Sequence, residues 1–356
     1  MRLPGLILSL TLVLHAPTVL AQQTRIGLAA PLSGPSAILG QQMQAGARAA
    51  ATAAGADLTI ADDACTAEGG AAAAQAFIAA NVSIATGFLC TEAVEAALPL
   101  LKNAGIPALV TGVRTNSLTD RRTKTGWLVA RLAPRADAEL AAATSILIER
   151  WRTEHFAIVD DGTIYSRELA EGFRNAAEQA GLKPVFIDTY RPQLDNQIAL
   201  AGRLRKAGAT HVFIAGDRAD IAIIGRDAAQ LNYPLTIAGG EVLRATPDEV
   251  DLTNGTLMVG LPEWADIADP EAVAALRAAG IEPEGYVLPA YASVQIAAQA
   301  TARATAENKP ASNLLAGQTY PTILGSIRFT DHGERAGNLY RLYRYQDGRF
   351  EEVTQP

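Results

Sequence analysis

The stretch that decides the fold runs from Asp62 to Asn116. It reads DDACTAEGG (62–70), an alanine-rich run, SIATGFLCTEAVEAALPLLKNAG (83–105) and IPALVTGVRTN (106–116). Two short apolar segments, Ser83–Thr86 and Ala108–Thr111, each break into a loop that contains Thr and Gly, and the first loop leads into a helical pattern. Buried strands that end at such loops form the anion-binding edge of an open sheet. The stretch therefore predicts an α/β fold with a small-anion site at this edge.

The first 21 residues have the features of an export signal. Arg2 gives a positive start, Leu6–Leu14 is an apolar core too short to span a bilayer, and Val19–Ala21 matches a small-residue cleavage site. The alternative, a buried N-terminal helix, is disfavoured by the prolines on either side of the apolar core. We predict cleavage after Ala21 and a location in the periplasm.

Cys65 and Cys90 are the chain's two cysteines. In an oxidising compartment a disulfide between them would close a loop of about 25 residues and stabilise the fold by roughly 3–4 kcal/mol. The alternatives are a metal site and a thiol nucleophile, and neither has a histidine nearby in the sequence to support it. We therefore predict a structural disulfide and no metal site.

Strand and helix patterns alternate along the rest of the chain and start afresh near Pro134, which indicates two α/β units with parallel sheets. Among the predicted helices, the first ends at Gly55, the next two are capped by Thr66 and Thr91, and one runs over residues 167–180. The length also exceeds what one hydrophobic core usually supports. We predict two doubly wound lobes joined by a three-strand hinge, with crossings near Pro134, Leu261 and Gly325. The predicted lobes are an N-terminal lobe of residues 22–134 plus 262–325 and a C-terminal lobe of residues 135–261 plus 326–356.

Charge and missing motifs exclude several classes of function. The net charge of −7 disfavours nucleic acid and anionic membranes as partners. The chain has no phosphate-binding loop, dinucleotide fingerprint, nucleophile elbow or zinc-protease motif. After the export signal, its histidines are His155, His211 and His332, which lie at predicted strand starts or in a turn. We predict a binding protein that uses no cofactor and has no catalytic residue.

An export signal, two α/β lobes and the absence of catalytic motifs give the chain a resemblance to a known family. It resembles the type I periplasmic solute-binding proteins of ABC importers, in the branch of the leucine/isoleucine/valine-binding protein. The matching segments are IGLAAPLSGPSAILGQQMQAGARAA (26–50), DDAC with GFLCT around the two cysteines, IVDDGTIYSRELAEGF (158–173) and GSIRFTDHGERAGNLYRLYRYQDGRF (325–350). The resemblance implies a monomer whose lobes close on a small molecule and present it to an ABC permease in the inner membrane.

The resemblance also implies an amino-acid site in the first lobe. Thr91 matches the position that holds the α-carboxylate, Thr115 matches a second hydroxyl position, and Val113 matches a backbone carbonyl that accepts from the amine. A helix start at Thr91 suits an anion because its first amides lack partners within the helix. The alternatives are that Thr91 only caps its own helix and that Thr115 makes only local hydrogen bonds in a turn.

In the second lobe, Tyr165 matches a tyrosine that closes over the ligand, and Glu241 matches the carboxylate that pairs with the ligand ammonium. An unpaired buried ammonium costs several kcal/mol, so Glu241 separates an amino-acid binder from a binder of plain carboxylic acids. The alternatives are a half-buried aromatic residue at 165 and a solvated loop charge at 241.

Three departures from the family pattern concern the side-chain pocket. Leu39 stands where branched-chain binders carry an aromatic residue, Asp217 and Arg218 occupy another aromatic stretch, and Arg114 adds a charge beside Thr115. A loop charge usually points to solvent, but together these residues favour a polar or acidic ligand side chain over leucine. The remaining alternatives are a binder of an aromatic or other organic carboxylate and a ligand-sensing receptor subunit.

Overall fold

Alternating strands and helices form two lobes, each built on a sheet that is mainly parallel. The computed structural model describes residues 24–354, so the predicted export signal and its cleavage site lie outside the described residues. Between residues 24 and 354, no helix combines the length and the apolar character needed to cross a bilayer.

The first lobe begins with a five-stranded parallel sheet in the strand order β2-β1-β3-β4-β5. Its elements in chain order are β1 (Arg25–Ala30), α1 (Ala37–Ala54), β2 (Asp57–Asp62), α2 (Ala67–Ala79), β3 (Ile84–Gly87), α3 (Thr91–Asn103), β4 (Ala108–Val110), α4 (Ser117–Asp120), α5 (Arg122–Thr125) and β5 (Val129–Arg131). Gly55 ends α1 with a left-handed backbone, φ 61°, which confirms the predicted helix end.

The chain then forms the second lobe and returns to the first. The second-lobe elements are α6 (Ala138–Arg150), β6 (Phe156–Asp160), α7 (Ile164–Gln179), β7 (Phe186–Thr189), α8 (Ile198–Lys206), β8 (His211–Ala215), α9 (Arg218–Gln230), β9 (Thr236–Gly239), a 3-10 helix (Glu241–Arg244) and β10 (Leu257–Gly260). The last elements are α10 (Trp264–Ile267), α11 (Pro270–Ala278), α12 (Val287–Glu307), a 3-10 helix (Ala311–Leu314), β11 (Thr319–Thr322), β12 (Gly325–Arg328), β13 (Arg341–Gln346) and β14 (Arg349–Glu352).

The second sheet has the strand order β14-β13-β10-β9-β8-β6-β7. Its strands from β10 to β7 are parallel, and β13 and β14 join antiparallel at one edge. In the first lobe, α12 and α1 pack on one face of the sheet and α2 and α3 on the other. Two further hydrophobic cores lie in the second lobe. Helices therefore cover both faces of each sheet, which confirms the predicted α/β fold class.

The third crossing between the lobes lies later than predicted. β12 pairs with β11, and Ile327 and Phe329 are buried in the core of the first lobe. The prediction that the C-terminal lobe resumes at residue 326 is therefore wrong, because the chain leaves the first lobe only after Phe329. Single β-bridges join Arg131 to Glu334 and Phe329 to Arg335, so the third crossing begins beside the end of β5.

The disulfide and one predicted helix cap fix the loop that follows β2. Cys65 is bonded to Cys90 with a Cα–Cα distance of 5.1 Å, which confirms the predicted pairing. The Thr66 hydroxyl accepts a hydrogen bond from the Gly69 amide at 3.0 Å and caps α2, as the sequence indicated. The loop is thereby held against the start of α3.

Candidate functional site

A cavity of about 380 Å³ lies between the lobes where the chain crosses from one to the other, and we call it the hinge cavity. This volume is in the range of small-molecule sites. The hinge cavity is lined by the crossing segments (Leu132, Ala133, Pro134, Leu261, Pro262, Glu263, Arg335), the first lobe (Thr111, Gly112, Arg114, Trp264, Gly285, Tyr286, Pro289, Leu324) and the second lobe (Glu241, Arg244).

An ion pair joins the two lobes at this cavity. Arg114 follows β4 of the first sheet and Glu241 follows β9 of the second, and Nη2 of Arg114 lies 3.0 Å from Oε2 of Glu241. Burial acts to lower the pKa of Arg114, but the charge of Glu241 raises it above its usual value. Both side chains are half-buried, at 37% and 26% exposure, so a solute entering the cleft can reach them.

Glu139 of α6 positions the second-lobe side of this ion pair. Its carboxylate is buried, accepts from the Glu241 amide at 2.7 Å through Oε1 and accepts from the Tyr165 hydroxyl at 2.7 Å through Oε2. Tyr340 lies close to the same group, and burial raises the pKa of its hydroxyl. Glu139 therefore holds both Tyr165 and the backbone of Glu241 at the cleft. This arrangement brings the carboxylates of Glu139 and Glu241 close to the guanidinium of Arg114.

Thr91, Val113 and Thr115 are not among the residues that line the hinge cavity, although Gly112 and Arg114, which flank Val113, line it. Thr91 is the first residue of α3 and Cys90 is the N-cap, so the prediction that Thr91 caps this helix is wrong. The Cys90 side chain makes no capping hydrogen bond, so no cap side chain competes for an anion at this helix start. Because β3 and β4 are neighbours, the loops that carry Thr91 and Thr115 begin side by side.

Thr115 and Val113 are tied into the first lobe. The Thr115 hydroxyl lies 3.2 Å from that of Ser117, and its carbonyl accepts from Arg131. The Val113 side chain is buried in the first-lobe core, which leaves only its backbone for the role that the resemblance implies. Thr115 is adjacent to Arg114, so the Arg114–Glu241 pair brings Glu241 close to the first-lobe loop that carries Thr115.

Three other predicted residues have different surroundings. Tyr165 lies in the first turn of α7, which starts earlier than predicted, and it is 53% exposed at the cleft. Leu39 is half-buried in the first turn of α1 and does not line the hinge cavity. Arg218 is 6% exposed and donates to the Leu243 carbonyl and, at 2.7 Å, to Asp251, so it faces the second-lobe interior. These bonds use the Arg218 guanidinium within the second lobe, and Arg218 is not among the residues that line the hinge cavity.

The sequence interpretation missed Glu139, Tyr286 and Arg335. Glu139 follows the first crossing and Arg335 lies on the third, so proximity to a predicted hinge is the signal that would have found both. Tyr286 immediately precedes α12 and lines the first-lobe wall of the hinge cavity. Tyr286 belongs to none of the sequence motifs, so no pattern in the sequence indicated it.

Comparisons with known proteins identify the family and the fold. A family model described as "Periplasmic binding protein" matches residues 23–349. The chain is 27% identical over 340 residues to the Leu/Ile/Val-binding protein BraC3 of Rhizobium johnstonii, covering 91% of this chain and 92% of the relative.

Two solved structures are similar in fold. One, from Rhodospirillum rubrum, is described as a putative branched-chain amino acid ABC transporter, with a TM-score of 0.77, 21% identity and coverage of 93% of this chain and 100% of that one. The other is a solute-binding protein of Rhodopseudomonas palustris in complex with 3,4-dihydroxy benzoic acid, with a TM-score of 0.64, 16% identity and coverage of 93% and 96%. The two-lobed fold is thus that of type I periplasmic binding proteins.

Proposed function

Because the chain belongs to the periplasmic binding protein family, we propose that it is the substrate-binding component of an ABC importer and captures an amino acid between its lobes. The relatives are solute-binding proteins rather than enzymes. The observation that carries the proposal is the cluster of Glu139, Glu241 and Arg114, which offers two carboxylates and one cation at the mouth of the hinge cavity. A ligand ammonium supplies the second positive charge.

In the proposed complex each charged end of the amino acid has its own partner. The ammonium binds Glu241, and the α-carboxylate lies at the start of α3 with the Thr91 and Thr115 hydroxyls and the Val113 carbonyl nearby. Tyr165 covers the ligand when the lobes close. Micromolar binding requires about −8 kcal/mol, which two charge-assisted clusters and burial of the ligand can supply.

The proposed biological setting follows from the family. The export signal directs the protein to the periplasm, where it acts as a monomer and passes its solute to a permease in the inner membrane. Its acidic net charge of −7 argues for a small molecule rather than a nucleic acid as the bound partner.

Calorimetric titration tests this proposal. The chain from residue 22 onward is purified, freed of bound solute by unfolding and refolding, and titrated with the common amino acids. We expect saturable one-site binding with micromolar or tighter Kd and a matching rise in Tm. Failure of every amino acid to bind would contradict the amino-acid proposal.

The second candidate function is the binding of an organic carboxylate that carries no amine. One observation favours it: Arg114 already supplies Glu241 with a positive partner, so the cleft does not depend on a ligand ammonium. The relative from Rhodopseudomonas palustris binds 3,4-dihydroxy benzoic acid.

Replacing Glu241 by Ala separates the two candidates. If an ammonium binds there, the amino-acid affinity falls by about 2–5 kcal/mol, because the ligand charge loses its partner. If the ligand is a plain carboxylate, the affinity is unchanged or rises, since Arg114 becomes free to attract it. Glu282→Ala, at an exposed residue of the first lobe, is the matched control.

A further inference from the structure

The charged side chains that line the hinge cavity are not balanced. Arg114 pairs with Glu241, and Arg244 pairs with Glu263. Arg335 is the remaining charged residue of the lining, and within residues 24–354 its side chain forms no ion pair or hydrogen bond. The cavity wall therefore carries one uncompensated positive charge.

Arg335 is desolvated without an anion to compensate it. Its guanidinium carbon lies 6.0 Å from the ring centre of Trp264, which also lines the hinge cavity, and burial lowers the pKa of Arg335 to about 10. A cation over an aromatic face recovers only part of the lost hydration. The preceding residue, Glu334, cannot serve as the partner because its carboxylate is bound by Arg131, Arg135 and Thr119.

Arg335 lies on a different segment of the cavity wall from Arg114 and Glu241, so it can contact a different part of a bound solute. Glu241 and Arg114 lie at the second-lobe and first-lobe faces of the cleft, whereas Arg335 lies on the third crossing segment. Much of the cavity lining is apolar, with Leu132, Leu261 and Leu324 among its residues. In such surroundings a charge pair is less screened than in water.

We propose that Arg335 is an anion subsite of the hinge cavity and that the transported solute carries a second acidic group, which binds this guanidinium. This inference rests on the proposed function and narrows its substrate class to acidic amino acids or to dicarboxylic acids, whose distal carboxylate has the same chemistry. The Arg335–carboxylate pair supplies the missing countercharge and gives selectivity against solutes with a neutral side chain, since these leave the guanidinium unpaired.

The test compares acidic solutes with their neutral isosteres. L-glutamate, L-glutamine, L-aspartate, L-asparagine, L-leucine and glutarate are titrated by calorimetry into the wild type, Arg335→Gln, Arg335→Lys and Arg303→Gln. Arg303 is the matched control because it also lies over an aromatic ring, 4.7 Å from the centre of Tyr320, but does not line the hinge cavity. We expect the acidic solutes to bind the wild type about 10- to 100-fold more tightly than their amides.

The variants isolate the role of the charge. Arg335→Gln should abolish the preference for acidic solutes, Arg335→Lys should retain part of it, and Arg303→Gln should leave it unchanged. Without ligand, Arg335→Gln should melt at a higher temperature than the wild type, because it removes a half-buried charge that has no ion-pair partner within residues 24–354. A group that served only the fold would lower the melting temperature on removal.

The outcomes separate the subsite from the proposed function. Equal affinity for glutamate and glutamine, or an Arg335→Gln variant that keeps the acidic preference, would overturn the subsite while amino-acid binding stands. Binding of glutarate as tightly as glutamate would support the subsite and assign the solute to the dicarboxylic acids. If none of these six solutes bound, the subsite would be rejected, while the amino-acid proposal would be decided separately by the titration with all the common amino acids.

Discussion

Two arginines beside the hinge, Arg131 and Arg335, are both shielded from water, but only Arg131 has an ion-pair partner within residues 24–354. Arg131 is fully buried, and its guanidinium donates to Glu334 at 3.0 Å and to Thr119 at 2.9 Å. Arg335, the next residue after Glu334, has the Trp264 ring beside it and no ion-pair partner within residues 24–354. A charge that supports the fold is paired within the fold, whereas a charge left unpaired at a cavity wall is available to a ligand.

The same contrast separates the second-lobe arginine Arg218 from Arg114. Arg218 is buried against Asp251 and the Leu243 carbonyl, so its charge is used within one lobe. Arg114 instead pairs across the cleft with Glu241 and stays half-exposed. Burial and partner together, rather than residue type, therefore assign each arginine to the fold or to the cleft.

The largest effect is expected from breaking the ion pair between Arg131 and Glu334. Glu334→Gln leaves the Arg131 guanidinium buried without a full countercharge, and we expect the free energy of unfolding to fall by about 3–5 kcal/mol. Urea denaturation monitored by circular dichroism measures it. Glu351→Gln is the control, since Glu351 pairs with Arg349 on the surface and should contribute about 0–1 kcal/mol. A loss below that of the control would show that Arg131 does not depend on Glu334.

A smaller effect concerns the hydroxyl of Tyr165. Tyr165→Phe removes one of the donors to the buried Glu139 carboxylate, and we expect the free energy of unfolding to fall by about 1–2 kcal/mol. Ligand affinity should also fall, because Glu139 orients the Glu241 amide. Denaturation and calorimetry on the same samples measure both quantities, with Tyr291→Phe as control, because Tyr291 is a partly buried tyrosine of α12 in the first lobe. A change in stability with unaltered affinity would assign the hydroxyl to the fold alone.

Local features of the fold could be predicted because short segments determine them. The end of α1 at Gly55 follows from a left-handed backbone that glycine adopts without strain, and Thr66 caps α2 with its own side chain. β11 was missed because Pro321 interrupts its four residues and hides the strand pattern. The crossing predicted at Gly325 was wrong for the same reason, since β12 pairs with the unrecognised β11.

The candidate site could be predicted only in part, because its contacts join distant parts of the chain. Glu241 and Thr115 were indicated by the resemblance to a known family, and both follow strands of parallel sheets, whose ends at one edge suit a ligand site. The pairing of Arg114 with Glu241 spans 127 residues, and that of Arg131 with Glu334 spans 203. Periodicity carries no information about such pairs. For that reason the sequence did not indicate that Arg218 pairs within the second lobe or that Arg335 lines the hinge cavity.

The smallest effect is expected for the ion pair between Arg218 and Asp251, which can be tested by varying the pH. The hydrogen bond from the Tyr345 hydroxyl, together with the Leu252 amide and the Arg218 charge, lowers the pKa of Asp251, although burial opposes this. A lowered folded-state pKa stabilises the fold above the unfolded pKa of about 4, and this contribution is lost as the pH falls through the folded value. Asp251→Asn should therefore be less stable than the wild type at pH 7, by about 1 kcal/mol or less because Asp251 is exposed. The difference measured by urea denaturation should shrink as the pH falls below about 4, and a difference independent of pH would mean that Asp251 acts through its shape rather than its charge.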